Sequence, residues 1–198
     1  MAKLYFRYGA MGSGKSTALL QVAHNYTEKN MPILLIKPEI DTKGADTITS
    51  RIGISQKVDR LLPKDKMLLQ DDVFPLKDLR KPWAILVDEA QFLTTEQVDE
   101  LYMISKTYDI PVLCYGLRCD FQMKGFEGST RLLQIADDIE ELKTICKCGK
   151  KATQNLRKIN GKPVFEGNQV EIDNQDNIEY EGVCGECYLQ LKKGKKFL

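Results

Sequence analysis

The sequence is poor in histidine and tryptophan, with one of each, and it has no apolar run long enough to cross a membrane. The single histidine, His24, falls in the middle of a predicted helix, so we expect a surface position and no histidine-dependent catalytic triad. The stretch from Met1 to Tyr8 lacks both the apolar core and the small-residue cleavage site of a signal peptide. These absences predict a soluble, cytoplasmic protein.

An excess of either charge is also missing. The chain has 29 Lys and Arg against 28 Asp and Glu, a net charge of +1. This balance gives no overall attraction to nucleic acid or to an anionic membrane, so we expect neither as a partner. Hydrophobic residues make up 42% and charged residues 29%, which is typical of globular proteins and excludes wholesale disorder.

Short apolar runs separated by helical patterns indicate an α/β fold. The runs that predict strands are Lys3 to Tyr8, Ile33 to Ile36, Trp83 to Val87 and Pro111 to Gly116. A glycine-rich turn follows the first run and leads into a predicted helix from Ser16 to Ala23. Thr94 and Gln97 have capping-box spacing for another helix that ends near Tyr108. A weaker pattern predicts one strand from Lys57 to Leu62. This alternation predicts a mainly parallel sheet with helices on both faces.

The composition changes after Ala136, where an acidic run is followed by cysteine pairs, a stretch rich in Gly and Asn, and a lysine-rich end. We therefore place a domain boundary close to Leu142. The prediction is a nucleotide-binding α/β domain over residues 1–142 and a small metal-binding domain with a basic tail over residues 143–198.

A phosphate-binding loop is predicted between the first strand and the first helix. Its sequence is Gly9-Ala10-Met11-Gly12-Ser13-Gly14-Lys15-Ser16, which fits G-x-x-x-x-G-K-[ST] at every specified position. The backbone N–H groups and the helix dipole would hold the β-phosphate of a nucleotide. Lys15 would reach the β- and γ-phosphates, and the Ser16 hydroxyl would bind Mg²⁺.

Asp88 and Glu89 follow the third apolar run, where a Walker B acid leaves its strand beside the phosphate loop. Ligands of open α/β sheets bind at the carboxyl ends of the strands, so both acids should face the nucleotide. Asp88 would hold Mg²⁺, directly or through water, and Glu89 would orient or deprotonate the attacking group. The alternative is a solvated pair that caps the next helix.

Four of the six cysteines form two tight pairs, Cys146 with Cys148 and Cys184 with Cys187. Two thiolate pairs are the ligand set of a closed, tetrahedral structural zinc site. The alternative is four buried thiols. Cys114 is expected in the core of a strand, and Cys119 lacks a partner that would make it a nucleophile.

Three further features of the sequence belong with these motifs. They are Asp88-Glu89-Ala90-Gln91-Phe92, Tyr115-Gly116-Leu117-Arg118-Cys119-Asp120-Phe121, and Tyr180 shortly before Cys184. With the phosphate loop and the cysteine pairs, they resemble the type II thymidine kinases over nearly the whole chain. The resemblance implies a RecA-like core, a small zinc domain with a lasso loop over the nucleoside, and a homotetramer. It also implies transfer of the ATP γ-phosphate to the 5′-hydroxyl of thymidine, and of deoxyuridine, in nucleotide salvage.

The resemblance also implies roles for individual residues. The catalytic residues would be Glu89 as general base, Lys15 and Arg118. Nucleotide contacts would come from the phosphate loop and from Asp88, Glu89, Ala90 and Gln91. The thymine pocket would be walled by Met11, Phe92, Leu117 and Phe121, with Tyr180 from the lasso. The lasso would bind the base mainly through its backbone, over Gln169, Val170, Glu171, Ile172 and Asp173.

Three departures from the family pattern concern the nucleoside pocket and the metal site. Cys119 stands where the family usually has threonine, the segment from Asp173 to Asn177 replaces a shorter stretch beginning with two glycines, and the first cysteine pair is C-x-C. Two other functions remain open from the residues alone. One is a P-loop ATPase whose zinc ribbon binds nucleic acid, and the other is a module that senses a nucleotide without turning it over.

Overall fold

The computed structural model describes residues 1–39, 46–69, 81–169 and 177–195. The strands in its first part are β1 Leu4–Tyr8, β2 Ile33–Pro38, β3 Thr47–Thr49, β4 Ser55–Lys57, β5 Arg60–Leu62, β6 Ala84–Val87, β7 Val112–Gly116 and β8 Asp138–Glu141. The helices there are α1 Lys15–Glu28, α2 Thr95–Thr107 and α3 Glu127–Ile135, with a short 3-10 helix over Ala90–Phe92.

The central sheet has six strands in the order β5-β2-β6-β7-β1-β8, and all of its neighbouring strands are parallel. Its middle strands are the apolar runs that the sequence predicted. All four residues of β6 are buried because the strand is covered on both faces. The predicted α/β class with a mainly parallel sheet is confirmed.

Helices cover both faces of this sheet, as the alternation of patterns predicted. Helix α1 packs Leu19, Leu20 and Ala23 against one face. Helices α2 and α3 pack against the other face with a second buried cluster, which contains Val98, Leu101, Ile104 and Leu132. The predicted capping box is present, since the Thr94 side chain accepts from the Gln97 N–H and the Gln97 side chain accepts from the Thr94 N–H.

One strand prediction was wrong, and one strand was missed. The region from Lys57 to Leu62 is not one strand, because β4 pairs with β3 in a hairpin whereas β5 pairs with β2 in the central sheet. The acidic run after Ala136, for which the sequence analysis predicted no strand, forms the edge strand β8. Its acids are tolerated there because Arg7 on β1 contacts Asp138 at 2.5 Å and Glu140 at 2.9 Å.

The rest of the chain forms smaller elements. They are β9 Thr144–Ile145, β10 Lys151–Ala152, β11 Gln154–Ile159, β12 Lys162–Val164, β13 Ile178–Val183 and α4 Gly185–Lys192. The first two strands pair with each other, and the other three form an antiparallel sheet in the order β12-β11-β13. The change from the central sheet to these elements falls between Glu141 and Thr144, whereas the division into two domains stays a prediction.

The small sheet packs directly on the phosphate loop. A Cβ added to Gly182 on β13 would come within 2.6 Å of the Met11 carbonyl oxygen, so only glycine allows this approach. Among the described residues, no helix is long and apolar enough to span a membrane.

Candidate active site

The predicted phosphate loop lies between β1 and α1. Gly12 and Gly14 have φ of 80° and 77°, a left-handed conformation that favours glycine. The Gly9 N–H donates to the Gly116 carbonyl at 3.3 Å, which ties the start of the loop to the end of β7. The loop therefore has a defined shape at the N-terminus of a helix, where the dipole favours an anion.

Lys15 is the cation of this loop. Its ammonium group donates to the carbonyl oxygens of Gly9 at 3.2 Å and Ala10 at 3.1 Å. Burial lowers the pKa of Lys15, and the negative charges of Glu89 and Asp88 oppose that change. A phosphate would be a stronger partner for this ammonium than two carbonyl groups, because it carries a full negative charge.

Ser16 and Asp88 come together beneath the loop, as the sequence predicted for a metal pair. The Ser16 hydroxyl donates to the Asp88 carboxylate at 3.2 Å, and Asp88 is 4% exposed. Burial, together with the neighbouring charge of Glu89, raises the pKa of Asp88 to about 6. A hydroxyl and a carboxylate are oxygen ligands of the kind that Mg²⁺ prefers, so the pair fits that ion.

Glu89 has backbone in the left-handed region, with φ of 51° and ψ of 35°. Such a conformation is uncommon for a residue other than glycine, and it occurs often at active sites. It makes the chain turn sharply after β6, between Asp88 at the strand end and the 3-10 helix. The two adjacent acids therefore leave the strand in different directions, as two separate roles require.

Gln91 holds the Glu89 carboxylate. The Gln91 amide donates to Glu89 Oε2 at 2.5 Å, and its oxygen accepts from the Leu117 N–H at 3.0 Å. The residue is only 1% exposed. Because both ends of this amide are engaged inside the protein, the side chain orients Glu89 and joins it to the loop after β7. The family resemblance placed Gln91 only in the segment that contacts the nucleotide.

A cavity of about 310 Å³ lies over the phosphate loop. The structure brings six of the predicted site residues to this one space: Met11, Gly12, Gly14, Lys15, Ser16 and Glu89. Another part of the wall is the turn of the β3–β4 hairpin, from Thr49 to Ile52. The sequence analysis assigned no role to this hairpin, because it lies in the polar stretch where the patterns are weakest.

The predicted nucleoside wall comes from the segments after β6 and β7, which are neighbours in the sheet. The Phe92 and Phe126 rings meet edge to face, with their centroids 5.5 Å apart. Phe121 is 1% exposed, and its carbonyl accepts from the Tyr188 hydroxyl at 2.7 Å. Phe126 was missed by the sequence analysis, because nothing in the local pattern distinguishes it from a core residue.

Asn155 on β11 is a second residue that the sequence analysis missed. Its side chain accepts from the Met11 N–H at 2.8 Å and donates to the Cys119 carbonyl at 2.7 Å. It is 3% exposed. One buried amide thus joins the phosphate loop, the loop after β7 and the small sheet. No motif marks this residue, because the three segments that it joins are far apart along the chain.

Arg157, also on β11, packs against the predicted nucleoside wall. Its guanidinium lies 3.7 Å from the centroid of the Phe121 ring and donates to the carbonyl oxygens of Glu166 at 2.7 Å and Asn168 at 3.0 Å. This buried cation therefore links the aromatic wall to the segment that leads into the predicted lasso.

The remaining predicted residues lie around this centre. Arg118 donates to the Thr153 carbonyl at 3.4 Å, and its guanidinium is 5.7 Å from the centroid of the Tyr8 ring. Gln169 donates to Asp120 at 3.1 Å. Tyr180 lies on β13, where its carbonyl faces the hairpin turn. The other predicted lasso residues lie outside the described part of the chain; they are Val170, Glu171, Ile172 and Asp173.

The four paired cysteines form one cluster. The sulfur atoms of Cys146, Cys148, Cys184 and Cys187 all lie within 4.8 Å of one another. Tetrahedral zinc with ligand bonds of about 2.3 Å places its sulfurs about 3.8 Å apart, and the Cys148 and Cys184 sulfurs are 3.6 Å apart. Although burial opposes it, backbone N–H groups of Cys148 and Cys184 lower the pKa of Cys146 to about 7. This donor set can hold a metal ion, and it fits zinc.

We expect Gln91→Leu to lower the free energy of unfolding by about 1–3 kcal/mol, because the Leu117 N–H loses its acceptor inside the protein. Urea denaturation measures this change. Gln21→Leu on the exposed side of α1 is the matched control, and we expect it to stay within about 0.5 kcal/mol of the parent. A Gln91→Leu protein as stable as this control would show that the buried amide is dispensable.

Comparison with known proteins agrees with this arrangement. The family profile described as thymidine kinase matches residues 2–188. The chain is 45% identical to a thymidine kinase of Lactococcus lactis, with 96% of this chain and 98% of that protein covered. It is 48% identical to a thymidine kinase of Mannheimia succiniciproducens, with 98% of each covered, and 47% identical to one of Legionella pneumophila, with 100% and 94% covered. The chain therefore belongs to the thymidine kinase family.

Proposed function

We propose that this protein transfers the γ-phosphate of ATP to the 5′-hydroxyl of thymidine, giving thymidine monophosphate and ADP. The observation that carries the proposal is the single cavity in which the phosphate loop faces the carboxylate of Glu89. A phosphate donor and an acceptor hydroxyl could meet there. Membership of the thymidine kinase family supports the choice of acceptor.

In the proposed reaction, the loop from Gly9 to Ser16 encloses the β-phosphate, and Lys15 moves from the loop carbonyls to the phosphate oxygens. The Ser16 hydroxyl and Asp88 would hold Mg²⁺, which neutralises phosphate charge when it is bound. The 5′-oxygen forms a bond to the γ-phosphorus while the bond to the β–γ bridging oxygen breaks, and ADP leaves with the electron pair. Glu89 accepts the proton of the hydroxyl.

Two features prepare Glu89 for this role. Its left-handed backbone turns the side chain away from the strand, and the Gln91 amide holds one carboxylate oxygen. The same amide contacts the backbone of Leu117, which belongs to the proposed thymine wall. One buried side chain thus contacts both the proposed general base, Glu89, and the proposed thymine pocket. This contact would hold the acceptor hydroxyl of a bound nucleoside close to the Glu89 carboxylate.

We further propose that residues 143–198 form a zinc-binding domain that supports the nucleoside side of the site. The two cysteine pairs of the cluster flank the small sheet along the chain, because one pair comes before β10 and the other comes after β13. A metal ion there would fix the small sheet against the phosphate loop and against Phe121, through Asn155, Gly182 and Arg157. It would have no open position for chemistry.

We expect thymidine and deoxyuridine to be phosphorylated and deoxyadenosine and deoxyguanosine not, because a pocket walled by Phe92, Leu117 and Phe121 and sized for a pyrimidine excludes a second ring. The methyl group that separates thymidine from deoxyuridine should change discrimination by about 1–3 kcal/mol. The measurement is ADP release from Mg-ATP with each nucleoside. Comparable kcat/KM for deoxyadenosine and thymidine, or ADP release that depends on single-stranded DNA instead, would contradict the proposal.

We expect Glu89→Gln to lower kcat by about 10²- to 10⁴-fold while both substrates still bind, because glutamine keeps the shape of the side chain and removes its basicity. Steady-state kinetics and titration calorimetry measure the two effects. The control is Glu96→Gln, an exposed acid in the first turn of α2. If Glu89→Gln has a kcat near that of the control, the hydroxyl proton leaves without this residue.

We expect about one zinc ion for each chain in freshly purified protein and its loss in Cys148→Ser. Without the metal, the small sheet should become sensitive to protease and the KM for thymidine should rise, while ADP still binds at the phosphate loop. Metal analysis, limited proteolysis and calorimetry measure these effects, with Cys119→Ser as the control that retains zinc. Protein that contains no zinc would refute the proposal.

A further inference from the structure

The cavity over the phosphate loop has a second cation besides Lys15. Arg51 lines this cavity, together with Thr49, Ser50 and Ile52 of the hairpin turn. Its guanidinium lies close to the crest of the phosphate loop, since a Cβ built on Gly12 would be 3.4 Å from Arg51 Nη1. Arg51 is also near enough to Lys15 for its charge to help lower the pKa of the lysine.

The hairpin places Arg51 by means of buried contacts. Ile48 on β3 is 1% exposed and belongs to the same apolar cluster as Leu19 and Leu20 of α1. Ser50 is 4% exposed, its N–H donates to the Ile54 carbonyl at 2.8 Å, and its hydroxyl accepts from the Ile54 N–H at 3.2 Å. The turn that presents Arg51 is therefore defined on both sides of the residue.

The hydrogen bond that Arg51 makes within the protein is weak. Its Nη2 donates to the Tyr180 carbonyl on β13 at 3.4 Å, near the limit of a hydrogen bond, and the residue is exposed. A guanidinium gains more from a phosphate than from a distant carbonyl, because two of its N–H groups can contact two phosphate oxygens at once. Because Arg51 and Lys15 line the same cavity, an anion that enters it would be attracted by both cations.

The position along the loop identifies the part of the anion that Arg51 would reach. The loop backbone would enclose the β-phosphate of a bound nucleotide, and the γ-phosphate would then lie near Lys15. Glu89 lines the same cavity, so the terminal phosphate would face it. We propose that Arg51 is a catalytic residue that contacts the terminal phosphate of bound ATP and neutralises the charge that builds up there during transfer. The proposal rests on the proposed kinase function. Arg51 forms no covalent bond and takes no proton.

The family resemblance assigned the arginine near the phosphates to Arg118. In the structure, Arg118 faces Tyr8 and Thr153, and the described residues that line the cavity with Lys15 and Glu89 do not include it. Arg51 lies in that cavity. An arginine supplied in this way by the protein's own chain is a common means of stabilising phosphoryl transfer, and its removal lowers kcat strongly.

The test compares Arg51→Ala with Lys57→Ala, which removes an exposed cation from the same hairpin where it contacts Asp46 at 3.2 Å. For Arg51→Ala we expect about tenfold weaker binding of the Mg²⁺ complex of the non-hydrolysable ATP analogue AMP-PNP, with Mg-ADP binding within about threefold of the parent. The kcat for thymidine should fall by about 10²- to 10³-fold. Calorimetry without nucleoside gives the two affinities.

Arg51→Lys keeps the positive charge, so we expect it to recover part of the AMP-PNP affinity. Its kcat should stay at least about tenfold below that of the parent, because an ammonium lacks the paired N–H groups of a guanidinium. Arg51→Ala would overturn the proposal if its AMP-PNP affinity or its kcat were within threefold of the Lys57→Ala control. Equal losses of AMP-PNP and ADP affinity would also overturn it, since they would indicate damage to the loop. The AMP-PNP comparison holds even if thymidine proves not to be the acceptor.

Discussion

Parallel pairing of β6, β7 and β1 is the constraint on which the site depends. The register pairs Val87 with Cys114 and Tyr8 with Gly116, so the three strands end close together at one edge of the sheet. Each strand is followed at once by a segment that carries predicted site residues. These segments are the acid pair after β6, the loop with Leu117 and Phe121 after β7, and the phosphate loop after β1. A sheet of this kind binds ligands at that edge because the strand ends leave a crevice between the connections.

The side chains at this edge are held by buried polar contacts. Gln91 joins two segments that are distant in sequence and Asn155 joins three, and both residues are almost fully buried. A buried amide is stable only when its donors and acceptors have partners, so each one fixes the relative position of the segments it touches. This precision matters for phosphoryl transfer, which depends mainly on the placement of charges and reacting groups.

The site brings together two cations and two acids, and the cations can attract an anionic ligand. Lys15, Arg51 and Glu89 line the cavity, and Asp88 is close enough to Lys15 for its charge to affect the pKa of the lysine. Burial lowers the pKa of Lys15 and raises the pKa of Asp88, so both charged forms lack the solvation that water would give. A magnesium-bound triphosphate would give these groups charged partners, and its binding would lessen the cost of burying them.

The fold class, the phosphate loop, the acid pair and the cysteine pairs could be predicted from the sequence alone. These features are local, because each depends on a few adjacent residues whose spacing has a direct physical meaning, such as the glycines of the loop or the apolar run of β6. The edge strand β8 was not predicted, since its acids are compatible with a strand only beside Arg7, far away in the sequence.

The distant residues around the site could be identified only from the folded structure. Arg51, Phe126, Asn155 and Arg157 belong to no motif, and each acquires its role from a partner in another element. Their placement follows from strand pairing and from the packing of the small sheet on the phosphate loop, where Gly182 allows the backbones to approach. Spacing along the chain has no information about such contacts, because they are made by the packing of the folded core and not by neighbouring residues.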